Sequence, residues 1–178
     1  VEAFQVQLVE KGNTAPGETE NAFKKKITSV TYQAHVADIG WQKYVAEGNV
    51  SGTTGLGKQM EAIKIALNSK ECTGSVEYRV HVADIGWQKY VSENTIGGTT
   101  GKGKQMEAIS VRLTGEMANK YDIYYRVHVA DFGWLGWAKN GENAGSEGYG
   151  KQMEAIQIEL IEKGDTFSGS TQNSFYVK

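Results

Sequence analysis

The clearest pattern along the chain is alternation with period two. Ile63, Ile65 and Leu67 are separated by Lys64 and Ala66, and the same rhythm runs through Ile109, Val111 and Leu113. It returns in Ile156, Ile158 and Leu160, and again in Phe4, Val6 and Leu8. Apolar side chains at every second position define one face of a half-buried β-strand, whereas a helix would place them three and four apart. Tyr78, Val80 and Val82 alternate with Arg79 and His81 in the same way, giving a second strand, and Trp87 to Val91 suggests a third. Glycine-rich stretches separate these runs, so short strands joined by turns are expected throughout.

The pattern is triplicated. YQAHVADIGWQKYV (32–45), YRVHVADIGWQKYV (78–91) and YRVHVADFGWLGWA (125–138) are one unit repeated. His35, His81 and His128 lie 46 and 47 residues apart, and Glu61, Glu107 and Glu154 keep the same spacings. Three such units predict an all-β, three-fold pseudo-symmetric domain that is β-prism-like, with a β-trefoil as the alternative, because closure covers edges that an open meander exposes. Residues 1–23 align without a gap to 153–175. Residues 1–29 therefore read as the tail of a preceding unit and a linker, 30–162 as the three-repeat domain, and 163–178 as a C-terminal linker-like segment. The first residue is valine, so the chain reads as an excised piece or a mature segment.

The segment GTTGLGK, Gly52 to Lys58, imitates the G-x-x-x-x-G-K phosphate-binding pattern. That loop must run into a helix whose N-terminal amides hold phosphate, but a strand follows here. Gln59, Gln105 and Gln152 also replace the hydroxyl residue that ligates magnesium. The loop is read as a turn feeding a strand. No cofactor is expected.

Composition narrows the function further. The net charge is −2, which gives no basic footprint for nucleic acid. No apolar run approaches the roughly 20 residues of a membrane span, so no membrane insertion is expected. One cysteine, Cys72, precludes an internal disulfide and reads as a passive thiol.

GWQKYVAEGNVSGTTGLGKQMEAIKIAL and its two partners resemble the ChW repeat, the "clostridial hydrophobic, conserved Trp" family, over residues 32 to 160. The resemblance implies a secreted or surface-attached Gram-positive module engaged in adhesion or polysaccharide binding. The third unit departs from the pattern. Leu135-Gly136-Trp137 replaces Gln-Lys-Tyr, and Gly145-Ser146-Glu147 replaces Gly-Thr-Thr.

The candidate ligand-binding residues recur with the repeat. Trp41, Trp87 and Trp134 are read first as core aromatics, with a sugar platform as the alternative, where Gln42 or Gln88 would bond hydroxyls. Tyr44, Tyr90 and Trp137 occupy the next outward-turned aromatic position. Asp38, Asp84 and Asp131 precede the turn residue and glycine of ADxG, where turn chemistry outweighs a role as sugar acceptor. The three histidines invite a metal hypothesis, but the preferred reading is separate hydrogen-bonded histidines and no metal. Glu61, Glu107 and Glu154 with Lys58, Lys104 and Lys151 read as surface pairs. No catalytic constellation emerges, and repetition favours multivalent recognition. The expected partner is a glycan or cell-surface polymer, and the rival is a host or bacterial surface protein.

Overall fold

The structure is a computed structural model that describes residues 8–14, 28–69 and 71–178. The reading of residues 1–29 falls largely on 1–7 and 15–27, outside the described residues. Unit 1 contains β1 (Ser29–Val36), β2 (Gly40–Trp41), β3 (Val45–Ala46), β4 (Ser51–Gly52) and β5 (Met60–Asn68). Unit 2 repeats them as β6 (Val76–Val82), β7 (Gly86–Trp87), β8 (Val91–Ser92), β9 (Gly97–Gly98) and β10 (Met106–Leu113). A short helix, α1 (Gly115–Lys120), leads to β11 (Tyr121–Val129), β12 (Gly133–Trp134), β13 (Ala138–Lys139), β14 (Asn143–Glu147) and β15 (Met153–Glu162), followed by β16 (Phe175–Val177).

Each unit builds its own sheet around one long antiparallel pair, β1 with β5, β6 with β10 and β11 with β15. The alternation seen in the sequence becomes alternating burial along β1 and β6. The inward faces of all three sheets meet in one core that includes Val36, Ile63, Val80, Ile109, Val127 and Ile156.

The units are then linked in a ring. The short loop strand of each unit pairs with the long strand of the unit before it: β9 on β5, β14 on β10 and β4 on β15. The last of these joins unit 1 to unit 3. The core tyrosines add a second link. Tyr32 donates to Asn49 O in its own loop and accepts from Ile158 N of unit 3 at 3.0 Å. Tyr78 does the same with Thr95 O and with Ile65 N of unit 1, at 3.2 Å for the latter. Burial raises both phenols above their ordinary range, Tyr78 to about 12.

The C-terminal segment lies against units 2 and 3. β16 runs parallel to β14, with Ser146 opposite Tyr176. Phe167 stacks on Tyr124 with ring centroids 3.8 Å apart and meets Trp137 edge-on at 5.3 Å. The unusual Leu135-Gly136-Trp137 of unit 3 is explained by this contact. A Cβ on Gly136 would sit 1.9 Å from Gln172 O, and Trp137 N donates to Ser170 O at 2.9 Å. Residues read as linker-like in sequence are thus packed on the domain. Cys72 is half-buried and packs against the core between units 1 and 2.

Candidate functional site

The end of each long strand pair carries a bulge. Val36 pairs with Met60 while His35 pairs with Ala62, so Glu61 is the extra residue. The same skip leaves Glu107 between partners of Val82 and His81, and Glu154 between partners of Val129 and His128. An inserted residue re-aims its side chain. Here the carboxylate turns toward the histidine: His35 Nδ1 to Glu61 Oε2 is 3.2 Å, and the corresponding contacts in units 2 and 3 are 3.1 and 3.0 Å. These contacts meet the distance of a hydrogen bond but not its alignment. Gln59, Gln105 and Gln152 each donate to the other oxygen of the same glutamate. The three glutamates are buried, at 6% exposure each, and are not the surface partners of lysine expected from sequence. The clue was present in MEAI: Met60 and Ile63, three apart, are both buried, which strict alternation forbids.

The lysines pair elsewhere. Lys58, Lys104 and Lys151 each lie 2.5 Å from Asp38, Asp84 and Asp131 respectively. These aspartates occupy left-handed turn positions with φ of 63°, 64° and 67°, a conformation that Asp tolerates better than most residues. The turn reading holds, with the carboxylate bound to lysine instead of a neighbouring amide. The lysine hydrogen bond, then its charge, holds Asp38 and Asp84 below the usual carboxylate range.

Trp41, Trp87 and Trp134 sit beside the histidines and are half-buried, outside the central core. Each meets its histidine edge-on, with centroids 5.3, 5.6 and 5.5 Å apart. A cation covers each indole: Lys64 Nζ at 5.2 Å from Trp41, Arg79 at 4.7 Å from Trp87 and Arg126 at 4.8 Å from Trp134. Unit 1 has Gln33 where the others have arginine, and Lys64 on the paired strand supplies the charge. A sugar could stack on these faces only by displacing the cation.

The remaining candidates divide. Gln42 accepts from Gly52 N at 2.7 Å and donates to Gly52 O at 3.1 Å, and Gln88 holds Gly98 likewise. Both amides are committed to holding the loop strand, which corrects their expected role as free hydroxyl binders. Tyr44 is open at 46% exposure. Tyr90 bonds Ser110 Oγ at 2.8 Å and lies under Arg79 and Arg112. Trp137, expected to turn outward, is only 6% exposed because Phe167 and the C-terminal segment cover it. Among the described residues no three His, Cys, Asp or Glu side chains are placed to hold a metal ion.

Two open clefts lie where the loop of one unit meets the bulge of the unit before it. The larger, about 650 Å³, is lined by His81, Asp84, Lys104 and Glu107 of unit 2 and by Glu147, Gly148 and Gly150 of unit 3. The smaller, about 390 Å³, repeats this lining with Asp131, Lys151, Gln152 and Glu154, and takes Gly57 from unit 1. Gln105 and Gly150 line both, so the clefts are neighbours on one end of the molecule.

A family model for ChW, Clostridial hydrophobic W, matches residues 35–69, 81–115 and 128–162. The chain belongs to this family. ChW is a family of repeat modules found in surface proteins and not an enzyme family. No curated protein and no solved structure matches the chain. Each ChW match opens on the histidine of the His–Glu pair and runs through the bulge to the end of the long strand or just beyond it.

The loop of the third ChW unit changes the chemistry of the cleft it forms with unit 2. Glu147 stands where Thr54 and Thr100 stand in units 1 and 2. Its carboxylate accepts from Trp87 Nε1 at 3.1 Å and lies 3.9 Å from His81 Nε2. The substitution is visible in the sequence, but nothing local to GSEG indicates that this loop belongs to the neighbouring unit's cleft.

Proposed function

We propose that the chain is a non-catalytic, extracellular ChW module that binds glycans or cell-surface polysaccharide in adhesion. The supporting observation is the repeated polar cleft at the unit junctions, formed from a His–Glu pair, an Asp–Lys pair, a glutamine and the next unit's glycine loop. Such a lining offers many donors and acceptors in a shallow, open space. That suits a hydroxyl-rich polymer better than a compact apolar ligand. Clefts sharing one end of the molecule would let successive sugars of one chain engage neighbouring units, and weak sites then gain from avidity.

A protein partner is the second reading, and exposed Ile39 and Leu56 on the loops of unit 1 favour it. The two readings separate on a glycan array run beside pull-down from cell-wall and host extracts. The glycan reading expects array signal that free oligosaccharide competes away. A blank array with a specific protein captured would reject it.

A further inference from the structure

Unit 3 gathers large aromatic rings at the surface. Phe132, Tyr149 and Tyr176 are 38, 38 and 37% exposed, and Phe132 touches each of the other two. Phe132 meets Tyr149 edge-on with centroids 5.5 Å apart, and Tyr176 at 5.4 Å with the planes tilted by 53°. In the other units the position of Phe132 is held by Ile39 and Ile85, and that of Tyr149 by Leu56 and Lys102. Tyr176 is brought in by β16, which pairs only with β14 among the described residues.

We propose that these three rings form a stacking subsite for one pyranose unit of a neutral glycan, bound across the adjoining cleft of unit 3. The assignment rests on the glycan reading above and names where, and for which chemistry, that reading applies. Asp131 and Gly150, the chain neighbours of Phe132 and Tyr149, line the 390 Å³ cleft. A sugar lying on the rings would place its C–H face on aromatic carbon and its hydroxyls toward Gln152, Asp131 and Lys151. Charge selects among glycans. Lys151, the one lysine or arginine in the cleft lining, is neutralised by Asp131 at 2.5 Å, so the lining has no surplus Lys or Arg for an anionic polymer.

Area argues against a protein at this patch. Rings of this size bury about 150–250 Å² each when fully covered, so three rings one-third open present about 250 Å². A stable protein interface needs about 800 Å² per partner. One sugar ring fits the smaller area.

The test is calorimetric titration of the full chain with neutral hexasaccharides of β-linked glucose, mannose and N-acetylglucosamine, and with acidic and amino-sugar oligomers. The variant Phe132→Ile/Tyr149→Leu installs the residues that unit 1 carries at these positions. It is expected to bind neutral oligosaccharide at least about tenfold more weakly with an unchanged melting temperature. Tyr149→Leu alone, on an exposed loop, is read by the same criterion if the double variant melts early. Unchanged affinity in a folded variant overturns the subsite and leaves the glycan reading standing, as does binding of charged oligomers alone. No binding of any oligosaccharide by the unmodified chain overturns both.

Discussion

Asp122 on β11 is held by two lysines, Lys139 Nζ at 2.8 Å from one oxygen and Lys163 Nζ at 2.9 Å from the other. Asn140 donates to the carboxylate as well, at 2.7 Å. Burial alone would raise the pKa of this acid. The hydrogen bonds and charge outweigh it and bring the group down to about 2. A carboxyl whose folded value lies below its unfolded value stabilises the fold at pH above the unfolded value. That contribution is lost as pH falls through the folded value. Urea denaturation of Asp122→Asn should therefore show a loss of about 1 kcal/mol at neutral pH, after allowance for solvent screening. The difference from the unmodified chain should shrink below pH 4 and vanish only once the pH is below about 2. A pH-independent difference would mean that the ion pairs are not its source. This cluster was not legible in sequence, because Asp122, Lys139 and Lys163 come together only when β11, β13 and the chain after β15 are assembled. Phe132 was half legible: its departure from isoleucine could be read, whereas its contact with Tyr176 required the parallel strand β16.

Among the elements, the short loop strand is the joint of the fold. Gly98 has φ +102°, and a Cβ there would lie 2.4 Å from Glu61 O of the preceding unit. Gly52 and Gly145 meet the bulge glutamates Glu154 and Glu107 in the same way, each at 2.3 Å. Two penalties coincide at this glycine, a left-handed backbone and a backbone clash that no flexible side chain can relieve. Gly101, four residues after the loop strand begins, also has positive φ, +67°, but faces open space. Gly98→Ala is expected to destabilise the chain by at least about 3 kcal/mol in chemical denaturation. Gly101→Ala should cost about 1–2 kcal/mol, the strain of the left-handed conformation alone. Equal losses would count against the strand exchange. The long strands were readable from alternation, and the glycine turn was readable from GTTG. What the turn does was hidden, because a two-residue strand carries no periodicity and its partner lies in another unit. The bulge was hidden for a related reason, since period-two reading assumes an unbroken register.

At the scale of the whole molecule, the ring of exchanged strands distinguishes this domain from a linear array. In an array each repeat contacts only its neighbours, and removal of a terminal repeat lowers stability by one increment. Here unit 3 both receives β4 from unit 1 and gives β14 to unit 2. Deleting it leaves β10 without its outer partner, removes the acceptor strand for β4 and strips Tyr32 of its bond from Ile158. The pseudo-three-fold arrangement itself was legible from the count of units, although the three sheets stay open and are joined by exchanged strands. The direction of exchange was not legible, because near-identical loops are chemically able to pair with any of the long strands. A fragment of residues 28–113, carrying units 1 and 2, is therefore expected to show no cooperative thermal transition in calorimetry, while residues 28–178 melt in one step. Its exposed strand edges should also make it self-associate during gel filtration. A fragment that remained monomeric and melted cooperatively would show that the units are independent, and the ring would then be an arrangement the fold does not require.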